Sequence, residues 1–259
     1  MKHLYVVATF LFSMTAFAKV SVEKVEYKDG DTVLEGMLVV DTAKLKNKKG
    51  PGVVVVHDWK GVGPYVQMRA EQLAEMGYVA FVADIYGKGV RPKDNKEAGA
   101  QAGKFKSDRK LLRARVKAAY DELAKSKNVE TDKISATGYC FGGTAALEGA
   151  RMGLPLKGVV SFHGGLASPT PEDAKNIKAK ILVLHGAIDP NVPPAEVAGF
   201  EKEMNDAKVD YQFTAYANAV HSFTHKDAGN DITKGAAYNE LADKRSYLAA
   251  KNFLEEVNK

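Results

Sequence analysis

The residue types best suited to covalent chemistry gather around one position. Cys140 is the single cysteine of the 259-residue chain, and it stands in Gly138-Tyr139-Cys140-Phe141-Gly142-Gly143. A β-branched stretch precedes this hexapeptide and a run of helix formers follows it. Small residues two before and two after a nucleophile permit the tight, strained strand-to-helix turn of a nucleophile elbow. Cys140 would project from that turn over a helix amino terminus, where unpaired amides and the helix dipole favour a thiolate and a developing oxyanion. The duller reading is a Gly-rich turn that packs a helix on a sheet around an inert thiol.

An elbow predicts partners in a set chain order: an acid, then a histidine, each on a loop after a later strand. Ile181 to Leu184 reads as a buried strand, and the loop after it carries Asp189-Pro190. The stretch Asp210 to Ala215 reads as the last strand and leads to Ala219-Val220-His221-Ser222-Phe223. His221 would take the thiol proton and Asp189 would orient His221. Asp189-Pro190 is equally good turn chemistry. His221 and His225, four apart, could form a metal pair, but a third ligand is missing nearby, so no metal is expected. His163 and His185 also end strands and read as packed histidines. An oxyanion hole needs two amides. Phe141 would supply one, and Trp59, on the loop His57-Asp58-Trp59-Lys60-Gly61-Val62-Gly63, the other. The Trp59 ring is free to serve as a core aromatic meanwhile.

These residues need a scaffold, and the pattern around them predicts one. Val20 to Tyr27 alternates apolar and polar residues, a turn follows over Lys28 to Asp31, and Thr32 to Val40 reads as a second strand. That is an antiparallel hairpin. After a polar loop over Lys44 to Gly52, Val53 to Val56 is the β-branched run of a strand buried on both faces. Helices are expected over Tyr65 to Met76, Lys106 to Lys125, Gly143 to Met152, Pro194 to Ala207 and Ala236 to Glu256. Strands are expected over Tyr78 to Val82, Ile134 to Thr137 and Gly158 to Phe162, besides the five already named. Such alternation predicts an α/β fold, a mostly parallel central sheet with an antiparallel N-terminal hairpin and helices on both faces. Sites in such sheets lie at the carboxyl ends of the strands.

Composition bounds the function. With 45% apolar and 27% charged residues the chain reads as an ordinary globular protein. Met1-Lys2-His3, the apolar run Leu4 to Phe12 and the small-x-small Ala16-Phe17-Ala18 form a secretory signal pattern, too short to span a bilayer. The expected organisation is a signal peptide over residues 1–18 and a single domain over 19–259, exported to the periplasm or secreted, without stable membrane insertion after cleavage. The net charge of +5 comes from scattered lysines, with no recognition motif for nucleic acid. One cysteine excludes an intramolecular disulfide, and a free thiol in an oxidising compartment asks for a reason. Nothing in the sequence specifies an oligomeric state.

Taken together, these pieces resemble the dienelactone hydrolase family of the α/β-hydrolase superfamily, which uses cysteine where most of its superfamily uses serine. The resemblance rests on the hexapeptide at 138–143, His57-Asp58-Trp59 after the Val-rich strand, Ala83-Asp84-Ile85-Tyr86-Gly87, the Asp189 loop and His221-Ser222-Phe223. It implies the α/β-hydrolase fold and hydrolysis of small esters or lactones through an acyl-cysteine, with no cofactor. In that family a glutamate on the early loop contacts the resting cysteine until substrate displaces it. The matching position here is Asp58, one methylene shorter. Arg91 and Lys93, after Tyr86, could meet a substrate carboxylate or be solvated loop charge. Chlorocatechol-pathway members of the family are cytoplasmic, which an export signal sets apart from this chain. Two other readings stand beside this one: a general carboxylesterase or thioesterase, and a non-catalytic binding or redox relative whose thiol is merely oxidised.

Overall fold

The computed structural model describes residues 20–259; the expected leader, residues 1–18, lies outside them. The chain opens with β1 (Ser21–Asp29) and β2 (Thr32–Val40). They pair antiparallel from Ser21 opposite Val40 to Asp29 opposite Thr32, and Gly30 turns the corner at a φ of 56°. Asp41 then caps a single helical turn, α1 (Thr42–Leu45), by accepting from the amides of Ala43 and Lys44. β3 (Gly50–Val56) starts inside the expected loop. Its early start has a partner: Gly50 and Pro51 pair with Val129 and Glu130 before the register shifts at Gly52.

Next come α2 (Pro64–Glu75), with proline in its first turn, and β4 (Val79–Ala83). The helix expected over Lys106 to Lys125 is α4 (Arg109–Ala124), and a further, unexpected helix, α3 (Asn95–Ser107), precedes it. Asp108 separates them. Its amide closes α3 on the Lys104 carbonyl while its carboxylate accepts from Leu111 to start α4, the local bonding that makes aspartate a cap. The buried stripe of α3 is Ala98, Ala102 and Phe105, so its apolar periodicity is faint in the sequence.

The remaining elements are β5 (Val129–Tyr139), α5 (Phe141–Arg151), β6 (Gly158–Phe162), β7 (Lys180–Gly186), α6 (Pro194–Asp206), β8 (Tyr211–Tyr216) and α7 (Glu240–Val257). The eight strands among the described residues form one sheet in the order β1-β2-β4-β3-β5-β6-β7-β8. β2 meets both its neighbours antiparallel and every later pair is parallel. Both faces are covered. Val54 and Val56 point into one core with Phe81, Leu112 and Leu147; Val53 and Val55 point into the other with Val82, Leu184 and Phe253. That is why β3 reads as unbroken valine rather than alternation. Among the described residues no helix is long and apolar enough to cross a membrane.

α7 starts four residues later than its apolar pattern suggests, at Glu240, with the Asn239 side chain accepting from Ala242. The preceding residues are otherwise employed. Gly235 accepts from the His221 amide at 3.2 Å and Ala237 donates to the His221 carbonyl at 3.0 Å. This strap fixes the backbone of the histidine loop.

Candidate active site

At the carboxyl end of β5 the chain turns into α5 through Cys140, whose φ of 57° and ψ of −117° lie in a costly region for a residue with a side chain. The turn is possible because its flanks lack side chains. A Cβ on Gly138 would lie 2.0 Å from the Gly142 carbonyl oxygen, and one on Gly142 would lie 2.2 Å from that of Val56. Strand and helix approach too closely there for any residue but glycine. The thiol therefore sits where α5 begins, at the mouth of the sheet.

β7 and β8 bring two more groups to the same edge. His221 Nε2 lies 3.0 Å from Cys140 Sγ, and His221 Nδ1 lies 2.8 Å from Asp189 Oδ2. Asp189 is buried, and its other oxygen accepts from the Asn191 amide at 2.8 Å. Nδ1 thus donates to the carboxylate and Nε2 addresses the sulfur. Burial alone would lower the pKa of His221. The neighbouring Cys140 sulfur and the Asp189 carboxylate outweigh it and push the value up to about 10. An imidazole that holds a proton beside a sulfur can balance charge that develops on the sulfur during reaction.

The amides of Phe141 and Trp59 have no protein acceptor among the described residues. Both belong to parts held in place by other groups. The His57 ring donates from Nδ1 to the Asp58 carbonyl at 2.6 Å and accepts at Nε2 from the Ile85 amide at 3.2 Å. Burial lowers its pKa, so it stays neutral and keeps both bonds. It also stacks on the Phe141 ring, at 5.9 Å between centroids. Tyr86 Oη donates to the Trp59 carbonyl at 2.9 Å. The His57 ring and the Tyr86 hydroxyl therefore set the Trp59 loop against the start of α5.

The other sequence candidates fall in different places. Asp58 lines the cavity with the thiol but bonds elsewhere: one oxygen accepts from the Lys60 amide at 2.7 Å, and the other lies 3.6 Å from His225 Nε2. Arg91 folds onto its own loop, donating to the carbonyls of Val90 and Gly87, with the buried Asp84 carboxylate 3.8 Å away. It does not line the cavity over Cys140. His221 and His225 face different partners, and among the described residues no group of three His, Cys, Asp or Glu side chains is arranged around a common point. His185 packs against Phe213.

His163, expected to be a packed histidine, does more. It is buried, adopts a φ of 40°, and its Nδ1 accepts from the Cys140 amide at 3.1 Å. Strand order would have exposed it. Tyr139 is registered with Phe162, so the residue after β6 must lie beside the residue after β5. A cavity of about 250 Å3 opens over this group, lined by Asp58, Trp59, Tyr65, Cys140, Ser222 and His225 among others.

Comparison with known proteins bears on what such a site serves. The family model described as "Dienelactone hydrolase family" matches residues 37–258. A Bradyrhizobium protein named "Probable 2-oxo-3-(5-oxofuran-2-ylidene)propanoate lactonase" is 31% identical over 201 residues, 73% of this chain and 80% of its own. The crystal structure of a dienelactone hydrolase-like promiscuous phosphotriesterase from metagenomic libraries is 37% identical, covering 93% of this chain and 99% of that one with a TM-score of 0.88. A dienelactone hydrolase from Anabaena variabilis is 20% identical with a TM-score of 0.68, over 93% of this chain and 99% of that one, and shares the fold.

Proposed function

The chain belongs to the dienelactone hydrolase family and is a hydrolase of carboxylic ester bonds, and from that premise we propose that it cleaves small esters and lactones through an acyl-cysteine formed on Cys140. One observation carries the proposal: a single imidazole, His221, spans from the thiol to a buried carboxylate, Asp189. The sulfur attacks the carbonyl carbon, a C–S bond forms, and the carbonyl π pair moves onto oxygen. The amides of Phe141 and Trp59 receive that oxyanion, each donor worth about 3 kcal/mol. As the tetrahedral centre collapses the C–O bond breaks, and the proton on His221 Nε2 passes to the departing alkoxide or enolate. Water then gives a proton to His221 and attacks the thioester, the C–S bond breaks, and the acid leaves. In a lactone the leaving hydroxyl stays tethered, so deacylation must outrun ring closure.

Asp58, bonded to the Lys60 amide, has the role of shaping the Trp59 loop in this scheme. Arg91 supports the Asp84 loop. The chemistry calls for no cofactor. The signal pattern over Met1 to Ala18 supports export, with catalysis in the periplasm or outside the cell. The phosphotriesterase relative raises a second reading for the same thiol, attack on an activated phosphorus centre.

The test is turnover of an enol lactone, a short-chain aryl ester and an aryl dialkyl phosphate by protein starting at Lys19, beside Cys140→Ala and His221→Ala. Expected are loss of ester and lactone turnover in both variants and an acyl mass increment on Cys140 of the wild type. Equal rates in all three proteins would overturn the proposal. N-terminal sequencing of protein recovered from the periplasm should begin at Lys19; an uncleaved Met1 in the cytoplasm would refute export.

A further inference from the structure

Behind the thiol runs a line of hydrogen bonds that the hydrolytic scheme leaves unused, and its direction can be worked out. The Cys140 amide donates to His163 Nδ1 at 3.1 Å as well as to the Phe162 carbonyl at 3.0 Å. A nitrogen that accepts carries no proton, so the proton of neutral His163 resides on Nε2. Burial, followed by the charge of His221 and of Arg69, holds the His163 pKa well below its ordinary value, which excludes the doubly protonated ring. His163 Nε2 therefore donates to Thr224 Oγ1, 2.7 Å away.

Thr224 is 1% exposed, and its hydroxyl proton must go somewhere, since an unpaired buried donor is costly. Apart from His163, which is already donating, the partner of Thr224 Oγ1 among the described residues is Tyr65 Oη at 2.6 Å. Thr224 thus donates to Tyr65. Arg69, which can only donate, adds a second bond to the same oxygen from Nε at 3.3 Å. Its guanidinium is held by the Thr224 carbonyl and by Asp243 Oδ1, both at 2.7 Å. Tyr65 Oη receives two hydrogen bonds, and its own proton has no acceptor among the described residues. Tyr65 lines the cavity over Cys140, and the His225 ring stacked on it at 4.1 Å fixes its plane.

We propose that Tyr65 is a substrate-binding residue whose hydroxyl donates to an oxygen of the substrate outside the scissile group, so that the cavity selects esters and lactones bearing such an acceptor. The inference rests on the reading of Cys140 as the nucleophile. The polarity of the relay makes it specific. Had the Cys140 amide not fixed the His163 tautomer, Tyr65 could spend its proton on Thr224 and offer the cavity only a lone pair. As built, the site presents one fixed donor a short distance from the thiol, and a substrate with an apolar group there leaves that donor unpaired.

The experiment compares substrates of matched shape. p-Nitrophenyl methoxyacetate and p-nitrophenyl butyrate differ by an ether oxygen in place of a methylene on the acyl side. 2-Methoxyethyl butyrate and butyl butyrate differ likewise on the leaving side. For each pair the ratio of kcat/KM, oxygen-bearing over apolar, is measured in wild type and in Tyr65→Phe. Intrinsic reactivity cancels between the two proteins. The expected result is a ratio about five- to tenfold higher in wild type for at least one pair, the worth of one neutral hydrogen bond. Ratios within twofold for both pairs, with an acyl adduct on Cys140 in each protein, would overturn the role of Tyr65 alone. Absence of any adduct on Cys140 in the wild type would overturn the nucleophile and this inference with it.

Discussion

His221 is where the largest opposing forces meet. Burial draws its pKa down, and two neighbours, the Cys140 sulfur and the Asp189 carboxylate, hold it up at about 10. Asp189→Asn keeps the shape of the acid and removes its charge. With burial still acting, only sulfur would then support the proton, so the titration of the His221 ring should move toward acid. Loss of the orienting carboxylate in a comparable triad costs about ten-thousandfold in kcat, and a fall of that order is expected in ester turnover. Ring proton resonances of His221, followed against pH in both proteins, provide the check. An unchanged midpoint near 10 would mean that Asp189 contributes position and no charge.

At the next scale, each reacting group stands at the end of an element whose neighbours hold it there. α5 carries the elbow, and it is fastened by buried charge. Arg151 is fully buried and bonds Glu203 of α6 through Nε at 2.8 Å and Glu148, three residues earlier on α5, at 3.1 Å. Arg113 of α4 reaches the other Glu148 oxygen at 2.7 Å. Arg151→Met keeps much of the volume and leaves the buried Glu203 without its partner. Removing one member of a buried pair costs about 3–5 kcal/mol, and urea unfolding should register a loss of that size; a change below 1 kcal/mol would show that Arg113 and solvent replace it. This network was not legible in the sequence, where Arg113, Glu148, Arg151 and Glu203 look like ordinary helix-surface charge. The Gly138–Gly142 turn, the alternation of strands and helices and the Asp189 and His221 loops were legible, because close approach and periodicity leave marks on local composition. His163 and α3 were not: the first depends on which strands become neighbours, and the second buries only Ala98, Ala102 and Phe105, a faint apolar stripe.

For the molecule as a whole, histidines set opposing limits on stability. His57 and His163 are buried, and burial depresses the pKa of each below 6.5. As the pH falls through 6.5 the unfolded chain binds protons at both positions that the folded chain refuses. Stability therefore drops toward acid, by about 1.4 kcal/mol per pH unit for each group once the unfolded histidines are protonated. His221 has the opposite sign. Between 6.5 and about 10 the folded chain keeps a proton that the unfolded chain releases, so its contribution is complete below 6.5 and is lost as the pH climbs toward 10. Stability should accordingly peak near pH 6.5, where the two limbs meet. Urea midpoints at pH 5, 6.5 and 8.5 are expected to be highest at the middle value. His221→Ala should flatten the alkaline limb while leaving the acid limb in place, since the groups responsible for the two limbs are different residues. A wild-type midpoint that rises steadily to pH 8.5 would show that His221 is neutral in the folded protein.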